Sequence, residues 1–283
     1  MNIYENNPLL EGLSLGESTE YRAAYDPALL QAVPRGLNRQ GLQIDEGDSL
    51  PFFGGDVWHA YELSWLNSKG KPVVALARIY VSAKSPNIIE SKSFKLYLNS
   101  LNQTRFESLD AVHKVLTSDL SVVADWPIQV ELIRPDDVNK FQVTQLPGLC
   151  IDDQDIEVTN FVLEPELLDG KRKGGVLDET LHSHLLKSNC LITDQPDWAS
   201  VIIRYTGERI SHEALLRYLI SFRLHNEFHE QCVERIFTDI VKFCKPERLF
   251  VQALYTRRGG LDINPYRMSH NDEDLLTCRI NRQ

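Results

Sequence analysis

The chain of 283 residues is long for one hydrophobic core and has room for two modules of roughly 140 residues. Its 42% hydrophobic and 25% charged residues are typical of a soluble globular protein. A net charge of −10 argues against a nucleic-acid groove or an anionic membrane as the main partner. The N-terminal stretch has no signal-peptide pattern, and no apolar run approaches the roughly 18 residues of a membrane helix. We therefore expect a cytoplasmic protein.

The first half contains the signals of a hairpin, a helix and a further strand. Residues 57–66 and 73–81 are rich in aromatic and β-branched residues and flank a turn, which predicts an antiparallel hairpin. Apolar residues recur at helical spacing over 108–120, where Ser108 is a plausible N-cap. Residues 127–133 then predict a strand.

The second half repeats this order of elements. Residues 198–206 predict a strand, and a helical stretch follows from about residue 211 to 243. Its latter part has a strong apolar stripe, with Asn226 as the expected N-cap and Pro246 after its end. Residues 248–256 predict another strand.

A weak sequence repeat supports a duplicated α+β module. The segment YLNSL (97–101) resembles YLISF (218–222), at an offset near 120 residues. The polar segment 134–148 is expected to connect the modules. We therefore predict an N-terminal module over residues 1–150 and a C-terminal module over 151–283.

The five cysteines form no CxxC pair, which favours free thiols in a reducing compartment. Cys190 precedes Asp197 by seven residues, and this pair has two interpretations. It is either a reactive thiol with an acid nearby or, more commonly, a buried cysteine followed by a polar turn.

A predicted helix start carries a second candidate site. His229 and Glu230 fall in its first turn, where a carboxylate is stabilised and can accept paired N–H donors from a ligand. A surface histidine beside a dipole-compatible glutamate is the commoner alternative. His229 and Cys232 also have metal-ligand spacing, but no second such pair occurs, so no metal is expected.

Two basic segments are candidates for binding phosphate. The segment NIIESKSFKLYL places Glu90, Lys92 and Lys95 around two serines. The segment YTRRGGLDINP places two arginines before two glycines after a strand. A solvated helix entrance with capping serines and a basic turn without a ligand are the respective alternatives.

Two short clusters have no assigned role. The segment CIDDQDI (150–156) groups three aspartates without the EF-hand pattern, and HSH (182–184) has no evident partners. GxGxxG, Walker and GxSxG motifs are missing from the sequence, so a nicotinamide enzyme of this sequence would not be a Rossmann protein.

Four long segments carry a family resemblance. ESKSFKLYLNSLNQTRF, LLKSNCLITDQPDW, FRLHNEFHEQCVERIF and YTRRGGLDINP resemble the two-module form of QueF, the NADPH-dependent 7-cyano-7-deazaguanine reductases. The resemblance implies an α+β tunnelling fold in tandem, with antiparallel sheets backed by helices. It also implies reduction of a nitrile on a free deazapurine base to a primary amine in tRNA queuosine biosynthesis. NADPH is the implied cofactor, a homodimer the expected assembly, and no direct nucleic-acid partner is expected.

The resemblance assigns roles to specific residues of this chain. The implied nucleophile is Cys190 and the implied proton donor Asp197, and His229 is expected to hold the base or pass a proton. The implied substrate contacts are Ile89, Glu90, Ser91, His229 and Glu230. The implied NADPH contacts are Ser91, Lys92, Arg258 and Gly259.

This assignment makes chemical sense, since thiolate addition converts a nitrile into a thioimide that accepts hydride more readily. Three alternatives remain at this level. The first is a nitrilase-like cysteine hydrolase, and the second is a zinc-dependent pterin or purine hydrolase that uses Cys190, His229 and Cys232 as ligands. The third is a purine-binding module that lacks the chemistry.

Overall fold

A computed structural model describes residues 24–44, 49–169, 175–191, 194–272 and 274–283. The chain forms two compact units. Of the described residues, unit 1 comprises those of 24–37, Val57–Val138 and Arg258–Leu261, and unit 2 comprises those of Asn38–Asp56, Asn139–Arg257 and Asp262–Gln283. The module boundary expected near residue 150 remains a prediction. Among the described residues, no helix is both long and apolar enough to cross a membrane.

Strands and helices are both present in each unit. The strands are β1 (Ala32–Pro34), β2 (Phe53–Leu66), β3 (Pro72–Ser82), β4 (Asn87–Ile89), β5 (Gln129–Ile133), β6 (Leu149–Cys150), β7 (Val176–Asn189), β8 (Pro196–Glu208), β9 (Arg248–Tyr255) and β10 (Leu261–Met268). The helices are α1 (Gly36–Arg39), α2 (Ser91–Ser100), α3 (Leu109–Ala124), α4 (His212–Ser221) and α5 (His229–Cys244).

In unit 1, the sheet has the order β5-β3-β2, and α3 contacts β5. The predicted hairpin is confirmed: the turn closes with the Asn67 N–H donating to the Lys71 carbonyl over 2.9 Å. Ser108 caps α3 as expected, because its side chain accepts from the Ala111 N–H. A separate antiparallel pair, β1 and β4, places Ile89 directly before α2.

In unit 2, the sheet has the order β10-β9-β8-β7-β6. Its pairs are antiparallel except for β6 and β7, which run parallel. Helix α4 contacts β7, and α5 contacts β9. These features confirm the predicted α+β class with antiparallel strands backed by helices.

The predicted helical stretch over 211–243 is interrupted. It forms α4 and α5, separated by a short 3-10 turn at Phe222–Leu224 and an extended segment. The expected cap Asn226 is also wrong, since the N-cap of α5 is Phe228. Asn226 bonds to the β7–β8 turn instead, a long-range contact that local sequence preferences do not reveal.

The repeat noted in the sequence has a structural counterpart. In unit 1, the Tyr97 hydroxyl on α2 donates to Asp119 on α3 over 2.7 Å. In unit 2, the Tyr218 hydroxyl on α4 donates to Asp239 on α5, also over 2.7 Å. Each helix pair is therefore joined by one tyrosine–carboxylate hydrogen bond at equivalent sequence positions.

Candidate active site

Cys190 lies in the turn that joins β7 to β8 in unit 2. Its N–H donates to the Gln195 carbonyl over 2.8 Å, and its own carbonyl accepts from the Asp194 N–H over 3.1 Å. Asp194 has a left-handed backbone with a φ of 53°, which a short polar residue tolerates. The thiol is half-buried and therefore accessible at the end of a closed hairpin.

Two asparagines tie this turn to the segment that enters α5. The Asn189 N–H donates to the His225 carbonyl over 2.8 Å, and the Asn189 carbonyl accepts from the Glu227 N–H over 3.2 Å. The Asn189 side chain donates to Asn226 over 3.1 Å, and Asn226 in turn donates to Asp194. The backbone of Cys190 is thereby fixed relative to the start of α5.

Asp197 and His229 form a pair inside unit 2. The Asp197 Oδ2 atom on β8 lies 3.1 Å from Nε2 of His229 in the first turn of α5. The Asp197 side chain is 3% exposed and the His229 side chain 14%, so water screens their interaction weakly. This geometry joins two residues that the sequence analysis assigned to the site separately.

Tyr255 fixes the orientation of the His229 ring. The two rings stack with centroids 3.8 Å apart and an interplanar angle of 8°. The Nδ1 atom of His229 is buried and has no hydrogen-bond partner among the described residues. Sequence reasoning missed Tyr255, because its position under His229 depends on the pairing of β9 with β8.

Glu230 follows His229 and is 2% exposed. It lies in the first turn of α5, whose N-cap Phe228 makes no side-chain cap hydrogen bond. The partial positive charge of a helix start stabilises a buried carboxylate there. Glu230 is therefore a buried carboxyl group in the first turn of a helix, which is the position that the sequence pattern predicted.

A buried ion cluster supports the segment before α5. The Glu227 carboxylate, 1% exposed, lies 3.1 Å from His225 Nε2 and 2.7 Å from an Arg235 guanidinium nitrogen. Burial alone would raise the pKa of Glu227, but hydrogen bonds from His225 and Arg235 outweigh it and lower the pKa. Glu227 is thus an anion that holds the turn of chain leading to His229.

The zinc alternative lacks its ligand set. Cys232 is fully buried, and burial followed by the charge of Glu227 raises the pKa of its thiol to about 12. In the part of the chain that the structure describes, Cys190, His229 and Cys232 do not group their donor atoms as a metal site.

The remaining predicted residues lie in unit 1. Glu90 is fully buried and caps α2, since its carboxylate accepts from the Lys92 and Ser93 N–H groups over 2.7 Å each. Burial raises the pKa of Glu90 above its ordinary value, and this effect exceeds the opposite effect of the two hydrogen bonds, which lower the pKa. The alternative of a solvated entrance with capping serines is therefore wrong. Ser91 and Lys92 follow this cap and are half-buried.

The glycine turn before β10 also belongs to unit 1. Gly259 has a φ of 57° and Gly260 a φ of 77°, and the Arg258 N–H closes the turn on the Leu261 carbonyl over 2.9 Å. A Cβ atom at Gly259 would lie 3.1 Å from Lys95 Cδ. The turn therefore packs against Lys95 of α2. This contact brings the two predicted basic segments together within unit 1.

Two family models match the chain. The model for the nitrile reductase 7-cyano-7-deazaguanine-reductase N-terminal region matches residues 21–132, and the model for QueF-like proteins matches residues 196–274. Together they cover about two thirds of the sequence. Among solved structures, the crystal structure of the archaeosine synthase QueF-Like in the apo form is similar at 15% identity and a TM-score of 0.30. That match covers 34% of this chain and 95% of that chain.

Proposed function

We propose, starting from the membership of this chain in the QueF family of nitrile reductases, that it reduces 7-cyano-7-deazaguanine to 7-aminomethyl-7-deazaguanine with two NADPH. The product is the free base that supplies tRNA queuosine biosynthesis. The observation that carries the proposal is the buried Asp197–His229 pair, held in the same unit as the Cys190 turn.

Cys190 is the nucleophile of the proposed reaction. Its sulfur adds to the nitrile carbon, one C–N π bond breaks, and a covalent thioimide forms. The nitrile nitrogen gains a proton in this step, and Asp197 supplies it. Asp197 is almost fully buried, so its carboxyl group is shielded from bulk water.

His229 positions Asp197 and restores its proton. The 3.1 Å contact between Nε2 and Oδ2 allows a proton to pass between the two side chains. Stacking on Tyr255 keeps the ring in this plane. The Nδ1 atom of the same ring is buried and has no hydrogen-bond partner among the described residues.

Glu230 recognises the guanine-like edge of the base. A carboxylate accepts two hydrogen bonds in parallel, which suits the ring N–H and the exocyclic amino group. Its burial strengthens these bonds and penalises a base that lacks either donor. Ile89, Glu90 and Ser91 are the further substrate contacts that the family implies.

The basic residues of unit 1 fit the phosphates of NADPH. Lys92, Lys95 and Arg258 are all half-buried cations, and the Ser91 hydroxyl and the Gly259 backbone lie in the same two segments. Because Glu90 accepts the Lys92 and Ser93 N–H groups, phosphate binding there would use side chains more than helix amides. Bound NADPH would supply one hydride in each of two rounds, and the Cys190 thiolate would be the leaving group after the first.

The covalent intermediate provides the test. Mass spectrometry of the protein mixed with the nitrile, without NADPH, should show an adduct equal to the sum of the two masses. Cys190→Ala should bind the base but form no adduct, whereas Cys278→Ser should form it as the wild type does. Release of ammonia without NADPH would identify a cysteine hydrolase instead. Undiminished NADPH oxidation by Cys190→Ala would remove this residue from the mechanism.

The proposal includes a cytoplasmic homodimer with no nucleic-acid or membrane partner. Its basis is that closing a tunnelling-fold barrel requires several modules side by side, and this chain carries two family matches. Sedimentation velocity over a range of protein concentrations should show a species of twice the 32.4 kDa chain mass. A monomer throughout that range would contradict the dimer.

A further inference from the structure

Three possible metal ligands meet at the β6 edge of the sheet in unit 2. Cys150 on β6 is the register partner of His182 on β7, and His184 follows two residues later. The Cys150 sulfur and one nitrogen from each ring lie within 4.8 Å of one another. The sequence shows these residues as two unconnected clusters, and only the parallel β6–β7 pairing brings them together.

The hydrogen bonds of both imidazoles orient them as metal ligands. His182 Nδ1 lies 2.9 Å from the Pro147 carbonyl oxygen, which only accepts, so Nδ1 carries the proton. The neutral ring therefore has its lone pair on Nε2. His184 Nδ1 lies 2.8 Å from the Ser200 hydroxyl, which can donate or accept, so this contact orients the second ring without fixing its tautomer. Metal-bound histidines typically donate their other ring N–H to an oxygen in this manner.

A carboxylate adds negative charge beside the three donors. The Asp152 carboxylate accepts from the Ser183 hydroxyl over 2.6 Å and from the His184 N–H over 2.9 Å. It is also hydrogen-bonded to the Cys150 thiol. Fixed negative charge at this place favours a divalent cation.

We propose that Cys150, His182 and His184 bind one Zn²⁺ ion, with water as the fourth ligand. One thiolate and two imidazoles are typical Zn²⁺ donors, and Cys150 and His184 are partly exposed, which gives the ion access. Because β6 has only two residues, the ion would stabilise its pairing with β7. This site shares no ligand with the candidate active site, so it does not depend on the proposed function.

Titration of the chelator-treated full-length protein with Zn²⁺ tests the proposal. Calorimetry should give one equivalent per chain, and Cys150→Ser and His184→Ala should each weaken binding at least about tenfold. Cys278→Ser and His270→Ala are matched controls, since both remove a potential ligand outside the cluster and should bind as the wild type does. With Co²⁺, the wild type should show thiolate-to-cobalt absorption that Cys150→Ser lacks.

A measurement on the unaltered chain covers the case in which a variant fails to fold. Saturating Zn²⁺ should protect Cys150, but not Cys278, from alkylation as read by peptide mass spectrometry. Ser200→Ala, which keeps all three ligands, should bind Zn²⁺ more weakly than the wild type. The proposal is overturned if the wild type binds no stoichiometric Zn²⁺, if Cys150 stays unprotected, or if folded Cys150→Ser binds as tightly as the wild type.

Discussion

His229 Nε2 lies 3.1 Å from Asp197 Oδ2, so two residues 32 positions apart form one buried pair. The ring cannot turn away without losing its stack on Tyr255. In the proposed mechanism, this pair would supply the proton to the nitrile nitrogen from a fixed direction.

Removing the acid should slow formation of the adduct. Asp197→Asn keeps the shape and a hydrogen bond to His229 but cannot supply a proton, so we expect kcat to fall about 10²–10⁴-fold. Stopped-flow kinetics and mass spectrometry of the adduct measure this. Asp178→Asn is the control, because Asp178 lies at the opposite end of the same β7–β8 hairpin. Unchanged adduct formation in Asp197→Asn would show that the proton comes from elsewhere.

Thiol alkylation should separate Cys190 from the buried cysteines. Cys190 is partly exposed, whereas Cys232 and Cys244 are buried, and burial raises the pKa of Cys232 to about 12. Iodoacetamide should therefore label Cys190 in the native protein well before the other two, and the nitrile should protect it. Labelling in urea, where all three react, is the control. Equal native rates for Cys190 and Cys232 would contradict the observed burial.

A glycine substitution should disturb the proposed NADPH contacts. Gly259→Ala places a Cβ 3.1 Å from Lys95 Cδ and adds about 1–3 kcal/mol of left-handed backbone strain. We expect a raised KM for NADPH with an intact fold, as measured by initial rates and circular dichroism. Gly175→Ala, where no atom lies within 4 Å of the new Cβ, should change neither quantity. A wild-type KM in Gly259→Ala would place the cofactor away from this turn.

Glu227 should make stability sensitive to acid. Its folded-state pKa lies below its ordinary value of 4.5, so its contribution is present above that pH and is lost as pH falls through the folded pKa. Glu227→Gln should lower the unfolding free energy by about 1–3 kcal/mol at pH 7. Below pH 4.5, the unfolding free energy of this variant should decrease less with falling pH than that of the wild type.

Urea unfolding between neutral and acid pH measures this effect. Glu213→Gln is the matched control, because its ion pair with Arg217 is more exposed and contributes little. Parallel stability–pH curves for the wild type and Glu227→Gln would refute the assignment to Glu227.

The two tyrosine–carboxylate bonds should differ in energy despite their similar geometry. Tyr218→Phe removes a hydrogen bond from the buried Asp239 and should cost about 1–3 kcal/mol. Tyr97→Phe should cost less, because the Tyr25 hydroxyl also donates to Asp119 over 2.7 Å. Urea denaturation of both variants gives the comparison. The double variant Tyr25→Phe/Tyr97→Phe leaves Asp119 with neither tyrosine donor, so it should lose about as much unfolding free energy as Tyr218→Phe. A larger loss in Tyr97→Phe alone would contradict this reasoning.

Several features follow from the sequence by itself because they depend on neighbouring residues. The apolar spacing of α3, its Ser108 cap and the strands on both sides of it arise from local backbone preferences and periodic burial. The long motifs around Cys190 and Glu230 likewise indicate the family without any fold. Glu90 shows the limit of such reasoning, since its role as cap of α2 is not a usual one for glutamate.

Only the tertiary structure decided which distant groups meet. The Asp197–His229 contact requires that β8 and the start of α5 converge, and the Cys150–His182–His184 group requires a parallel pairing of β6 with β7. Asn226 was expected to cap a helix but instead fastens the Cys190 turn. Each of these contacts depends on strand register and chain path, which follow from the packing of the whole unit and leave no periodic signal in the sequence.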